Sequence, residues 1–180
     1  NMGCSRLSSK KSHKSKVRPR NRQRVRLRRV SDQGEGICEL LHPRCALDRE
    51  LDLEEVEEMI RAGETDVAIE ELRWLLSGCH ECIRAHQLLG KLALEMGDIP
   101  LARGHFGHAF QIGSKTIDKS GDNKKVPYTQ ESNRPFLECG KALIHCLLKL
   151  GKKKRAREVV SKLLRYDPTD PLQITKLLNP

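Results

Sequence analysis

Aromatic side chains are scarce in this 180-residue chain: one Trp, two Tyr and three Phe, 3% of the total. Strand-rich folds favour aromatic and β-branched residues, so so low a content argues against a sandwich or barrel. No run approaches the ~18–20 consecutive apolar residues of a membrane-spanning helix. The apolar core of a secretory signal is missing too. Met2–Gly3–Cys4 looks like a lipidation start, but Leu7 stands where the myristoylation pattern needs Ser or Thr, so no lipid anchor is expected. The chain has no P-loop, dinucleotide glycine motif, nucleophile elbow or H-E-x-x-H pair. An enzyme is therefore not expected, no catalytic residue is nominated, and no cofactor is implied. Acids are absent from residues 1–30, which hold 12 Lys or Arg; the other 150 residues hold 22 basic and 24 acidic side chains. The net charge of +10 thus belongs to the N-terminal tail, while the remainder is close to neutral.

What the chain does have is a period. Gly63–Ala68–Leu72–Leu75, Gly97–Ala102–Phe106–Ala109 and Gly151–Ala156–Val160–Leu163 share one spacing. The glycines lie 34 and then 54 residues apart, the second interval being 34 with 20 inserted. Such a period marks a two-helix unit that stacks on its neighbours. Leu53, Val56, Met59 and Ile60 mark the first helix of the first unit, with Asp66 as the cap of its second helix and Trp74 as a packing anchor. Ile83 to Met96 and Ile99 to Ile112 make the second unit, where Gly104 and Gly107 would let a neighbouring helix come close. Pro135 to Leu150 and Ala156 to Tyr166 make the third, and Leu172 to Leu178 a capping helix. Residues 113–133 are polar and rich in turn-formers, so they are expected to form a disordered surface loop. Residues 1–36 are expected to be a disordered Arg/Lys-rich tail, because they cannot bury enough apolar surface to offset ordering.

Gly90, Gly97–Asp98, Ala102, Phe106 and Ala109 resemble the tetratricopeptide repeat signature in one register, and Gly151, Ala156 and Asp167–Pro168 repeat part of it. The third unit lacks the family's glycine early in its first helix. The resemblance is to three-repeat proteins of bacterial type. It implies an all-α fold: a right-handed α-solenoid of about three helix pairs over residues 37–178, with the loop insertion at 113–133. In the proteins this chain resembles, the concave wall binds peptides. Carried over, the wall positions are Arg84, Gln87, Lys91, Leu94 and Glu95 in the second unit. In the third they are Glu138, Lys141, His145, Leu148 and Lys149. The wall leans basic, suggesting an acidic peptide or protein partner. Gln87 and Lys91 replace the Lys and Asn that some members use to clamp a terminal carboxylate, which disfavours chaperone-type clamping.

A second signal lies in the tail. Arg18, Arg20, Arg22, Arg24, Arg26 and Arg28 alternate, followed by Arg29. In an extended chain a period of two puts the alternating six on one side, ~6.6–6.8 Å apart, comparable to the phosphate repeat of an extended nucleic-acid strand. This makes the run a candidate RNA- or DNA-binding segment, without the interleaved aromatics that base stacking needs. The bland alternative is a solvated tail.

The seven cysteines are odd in number and scattered, which reads as reduced thiols in a cytoplasmic protein. Cys38, His42, Cys45, Cys79 and Cys82 could together supply zinc ligands, but Cys38-x3-His42-x2-Cys45 lacks the usual pair spacing, and no metal site is nominated. Cys139 and Cys146 lie two helical turns apart and read as core. His105 and His108 read as partly exposed helix residues. The expected function is a non-enzymatic protein-interaction scaffold; the alternative is a nucleic-acid-associated adaptor.

Overall fold

The computed structural model describes residues 23–30, 36–121 and 123–178. These are mostly helical, with one short sheet: β1 (Arg26–Arg29), β2 (Cys38–Leu41), α1 (Arg44–Leu47), α2 (Glu50–Arg61), α3 (Thr65–Gly78), α4 (Ile83–Glu95), α5 (Ile99–Lys119), α6 (Arg134–Lys149) and α7 (Lys153–Tyr166). Short 3-10 helices occupy Glu131–Asn133 and Ile174–Leu178. From α2 to α7 each helix packs on the next, and α4 also touches α6.

The three period-defining glycines share one physical task. Gly63, Gly97 and Gly151 adopt φ of 80°, 77° and 70°, the left-handed conformation that a Cβ penalises. Each ends its helix with the same pair of bonds. Gly97 N–H donates to Leu94 O at 3.0 Å, and Asp98 N–H reaches back to Ala93 O at 2.8 Å. Gly63 with Glu64, and Gly151 with Lys152, repeat this. The arrangement satisfies carbonyls that a helix end would otherwise orphan. Asp98 then accepts from Leu101 N–H at 2.9 Å to start α5. Asp66 does not cap α3 as expected; it lies inside the first turn, after the N-terminal residue Glu64.

The expected disordered surface loop at 113–133 is corrected: its first residues continue α5, and Val126 and Asn133 farther along are fully buried. Helix α5 runs on to Lys119 because Phe106, Phe110, Gly113 and Ile117 keep one buried face at helical spacing. A Cβ at Gly113 would clash with the Phe136 ring at 2.3 Å, so the close approach between α5 and α6 centres there. Gly104, expected to serve that purpose, faces open space. In the third unit Gly140, one turn before the expected position, receives Leu163 in the same way. Asp118, on the added turns of α5, accepts from Lys162 at 2.8 Å, Arg165 at 3.1 Å and the Tyr166 hydroxyl at 2.9 Å, tying α5 to α7.

The few aromatics are concentrated. Phe110 stacks on Phe136 with centroids 5.4 Å apart, and Phe136 meets Tyr166 at 5.9 Å. Trp74 is an exception to its expected role. It is 52% exposed, with the Arg49 guanidinium 4.2 Å above its ring, so it shields a surface rather than anchoring the core.

The disordered tail expected up to residue 36 is likewise corrected for residues 23–30. β1 pairs antiparallel with β2, Leu27 opposite Leu40 and Arg29 opposite Cys38. Val25 is buried, and its N–H donates to Glu81 at 2.7 Å. Asn133 fastens the hairpin to the start of α6. Fully buried, it accepts from Leu40 N–H at 2.8 Å and donates to Cys38 O at 3.1 Å and Pro127 O at 3.0 Å. The C-terminal cap is present as the 3-10 helix Ile174–Leu178, which lies against α6 and α7 with Ile174 buried.

One covalent link contradicts the expectation that all thiols are reduced. Cys45 and Cys79 form a disulfide with Cα atoms 5.7 Å apart, joining α1 to the residue that ends α3. No helix among the described residues is long and apolar enough to cross a membrane.

Candidate functional site

The expected wall positions lie on α4 and α6, and side chains bridge α2, α4 and α6 in order. Arg84, on α4, reaches Glu50 at 3.3 Å and Glu57 at 3.0 Å, both on α2. Gln87, also on α4, donates to Glu138 of α6 at 2.6 Å. The other Glu138 oxygen accepts the Tyr128 hydroxyl at 2.7 Å. The bond to Glu138, followed by burial, raises the Tyr128 hydroxyl above its ordinary pKa. Arg84 and buried Gln87 are thus spent on holding neighbouring helices together, a role that spacing within one unit does not reveal.

The remaining wall positions are more open. Lys91, Glu95, His145 and Lys149 are exposed, while Lys141, Leu94 and Leu148 are half-buried. Leu94 and Leu148 pack against the core. None of Lys91, Lys141 and Lys149 forms a salt bridge with a described residue. Toward the N-terminal ends of α4 and α6 the wall opens into a hollow of about 680 Å³, bordered on its other side by β2 and α1. Glu39, Glu50, Glu131 and Glu138 line it against Arg84 and Arg134, and Leu47, Leu53 and Pro135 supply apolar surface. The wall is therefore unevenly charged: carboxylates gather at the hollow, and lysines, with Glu95 among them, lie farther along α4 and α6. The basic lean read from the second and third units left out the acids of α2, β2 and the Glu131–Asn133 turn.

Of the arginine run, Arg18, Arg20 and Arg22 lie outside the described residues. For the rest, alternation holds: Val25 is buried and Leu27 half-buried, while Arg24, Arg26 and Arg28 are exposed. Arg28 pairs with Glu39 across the hairpin. Arg29 is exposed at the end of β1. Arg24 and Arg26 face a second hollow, of about 780 Å³, beside α5.

The histidines form a cluster that sequence reading saw only in part. His86 stands between His105, with ring nitrogens 3.5 Å apart, and His108, with centroids 4.6 Å apart. His86 is pushed down to about 4, by burial first and then by its histidine neighbours. His105 is lowered by burial, then by Arg73 and His108. His105 is half-buried and His108 exposed, as expected.

The cysteine and histidine set considered for zinc does not converge. Cys45 and Cys79 bond to each other, and His42 Nε2 lies 2.9 Å from Ser132 O. Among the described residues, no group of three His, Cys, Asp or Glu is placed to hold a metal. Burial pushes the thiols of Cys38, Cys82, Cys139 and Cys146 up, which makes them poor nucleophiles.

Compared with known proteins, the chain matches no family model and no curated protein sequence.

Proposed function

We propose that this protein is a non-enzymatic interaction scaffold: three tetratricopeptide-like helix pairs stacked as a right-handed solenoid, holding a peptide or protein segment along the wall of α2, α4 and α6. The observation that carries the reading is the ordered bridging of that wall. Arg84 meets Glu50 and Glu57, Gln87 meets Glu138, and these partners occupy equivalent or nearby positions of successive units. An extended segment laid along the wall meets carboxylates and apolar surface at the hollow, then the lysines 91, 141 and 149. Its acidic portion belongs over those lysines.

The test is a displayed library of random peptides selected against the full chain, with the enriched peptides titrated calorimetrically. Lys91→Glu with Lys149→Glu reverses two exposed charges and is expected to weaken acidic binders about tenfold or more, as loss of charge-assisted bonds worth ~1.5–3 kcal/mol implies. Enriched peptides indifferent to both substitutions overturn the reading.

A second reading has its own support. The outward alternation of Arg24, Arg26 and Arg28 favours a nucleic-acid-associated adaptor whose basic edge grips phosphate. Binding of single-stranded RNA that falls steeply with salt supports it; salt-independent binding contradicts it.

A further inference from the structure

We infer that the hollow beside β1 is the seat for a single-stranded nucleic-acid backbone. This rests on the phosphate-binding reading of the arginine run and gives it a place in the fold. Three segments distant in sequence build the hollow: the residues entering β1, the junction between α3 and α4, and the last turns of α5. They bring Arg24 and Arg26 together with Lys115 and Lys119, and add His80 and His108. All four Lys and Arg side chains are exposed, and none forms a salt bridge with a described residue. Arg28, Arg84, Lys162 and Arg165 are paired with carboxylates; what sets Arg24, Arg26, Lys115 and Lys119 apart from other unpaired cations such as Lys91 and Lys149 is that one hollow gathers them. Among the described residues, one acid, Glu81, borders the hollow, and its Oε2 is engaged in seating Val25 N–H.

The layout fits a run of phosphates better than a single compact one. Arg24, at the bend that enters β1, and Arg26, its first residue, are two residues apart, at most ~6.6–6.8 Å along the chain. Lys115 and Lys119 are four apart on a helix, a rise of ~6 Å. Two rows of cations therefore flank the hollow with similar spacing, one offering guanidinium forks and the other point charges. Among the described residues, no buried polar side chain lines the hollow to cradle a lone anion. The hollow holds no Phe, Tyr or Trp, so bases are not stacked and recognition is of the backbone, independent of sequence. The Lys115 and Lys119 turns belong to the insertion that breaks the 34-residue period, and the same insertion builds this wall.

The test uses the full chain and a labelled single-stranded RNA of about 20 nucleotides, long enough to overrun one site, followed by anisotropy across a salt series. Each single-strand phosphate contact contributes a slope of ~0.7 in log K against log salt. Lys115→Gln with Lys119→Gln is expected to flatten the slope by about 1.4 and weaken binding about 25-fold near 0.1 M salt. Arg24→Gln with Arg26→Gln is expected to do the same. Arg155→Gln with Arg157→Gln removes equal charge from the exposed surface of α7 and is expected to cost less than about threefold, since charges beyond a Debye length are largely screened. If the Lys115/Lys119 pair costs no more than the α7 pair, the hollow is not the seat, although the tail reading survives. If the wild-type chain binds no RNA, both fail. Duplex DNA binding about tenfold tighter than the RNA, or micromolar pyrophosphate displacing the RNA, assigns the hollow to a different ligand and also overturns the inference.

Discussion

Replacing Asn133 with Ala removes three hydrogen bonds at a fully buried point, those to Leu40 N–H, Cys38 O and Pro127 O. Each such bond contributes ~0.5–1.5 kcal/mol net, and a buried donor left without a partner costs ~1–3 kcal/mol. Two of the three orphaned groups are carbonyls, which tolerate losing a partner better than an N–H does. The Leu40 N–H therefore dominates, and the total comes to about 3 kcal/mol. For a chain of this size that lowers Tm by roughly 6–12 °C. Urea unfolding followed by circular dichroism measures the loss, and amide exchange at Leu40 locates it. Asn133→Asp keeps the acceptor for Leu40 and, once its added charge is titrated away at low pH, retains one donor of two, so it should fall between wild type and Ala under those conditions. The reasoning is refuted if Asn133→Ala costs less than about 1 kcal/mol, below one orphaned group, or if Leu40 exchanges no faster. Because the hairpin borders the first hollow and supplies Arg24 and Arg26 to the second, the same variant should weaken binding at both.

Other outcomes follow from the same geometry. His86 is neutral in the folded chain down to about 4 and has an ordinary value of 6.5 when unfolded; the unfolded state therefore binds the extra proton, and its contribution to stability is complete above 6.5 and lost as pH falls toward 4. The loss is roughly 3 kcal/mol, and His86→Gln should flatten that part of a pH–stability curve. The Cys45–Cys79 bond leaves five titratable thiols of seven under denaturing, non-reducing conditions, whereas the expectation of a cytoplasmic chain with reduced thiols gives seven. Closing a loop across 34 residues stabilises by about 3–4 kcal/mol in the chain-entropy account, so Cys79→Ser should lower the urea midpoint only when the wild-type comparison is oxidised. Gly113→Ala forces a methyl against the Phe136 ring and should cost about 1–3 kcal/mol as an overpacked core, measured by thermal unfolding; an unchanged Tm contradicts the close α5–α6 contact.

The helix pairs were legible because three independent turns impose one requirement, a residue tolerant of positive φ at Gly63, Gly97 and Gly151. Period and chemistry agree there, so reading either recovers the other. The extension of α5 was not legible. Between Gly113 and Lys119 only Ile117 is large and apolar, while the space beside Gly113 is filled by Phe136 from another helix. A buried face made partly of a neighbour's ring leaves no apolar stripe in the sequence. β1 was hidden for a related reason: its outward residues are arginines, and Val25 and Leu27 alone mark the inward side. Cys45 and Cys79 lie one period apart, a signal that could have suggested their pairing. The positions named from the repeat register lie on α4 and α6. Which of them are consumed, as Arg84 and Gln87 are, depends on α2 and α6 side chains that no single unit contains.

The central claim is that a partner segment lies along α2, α4 and α6, and photo-crosslinking tests it most directly. A display-selected peptide carrying a photoreactive residue is irradiated on the full chain, and mass spectrometry identifies the attachment sites. The account predicts attachment at the hollow, on residues such as Leu47 or Pro135, and near Lys91 or Lys149, with loss of crosslinks in the Lys91→Glu, Lys149→Glu variant. Attachment confined to the outer surfaces of α3, α5 or α7 would contradict it.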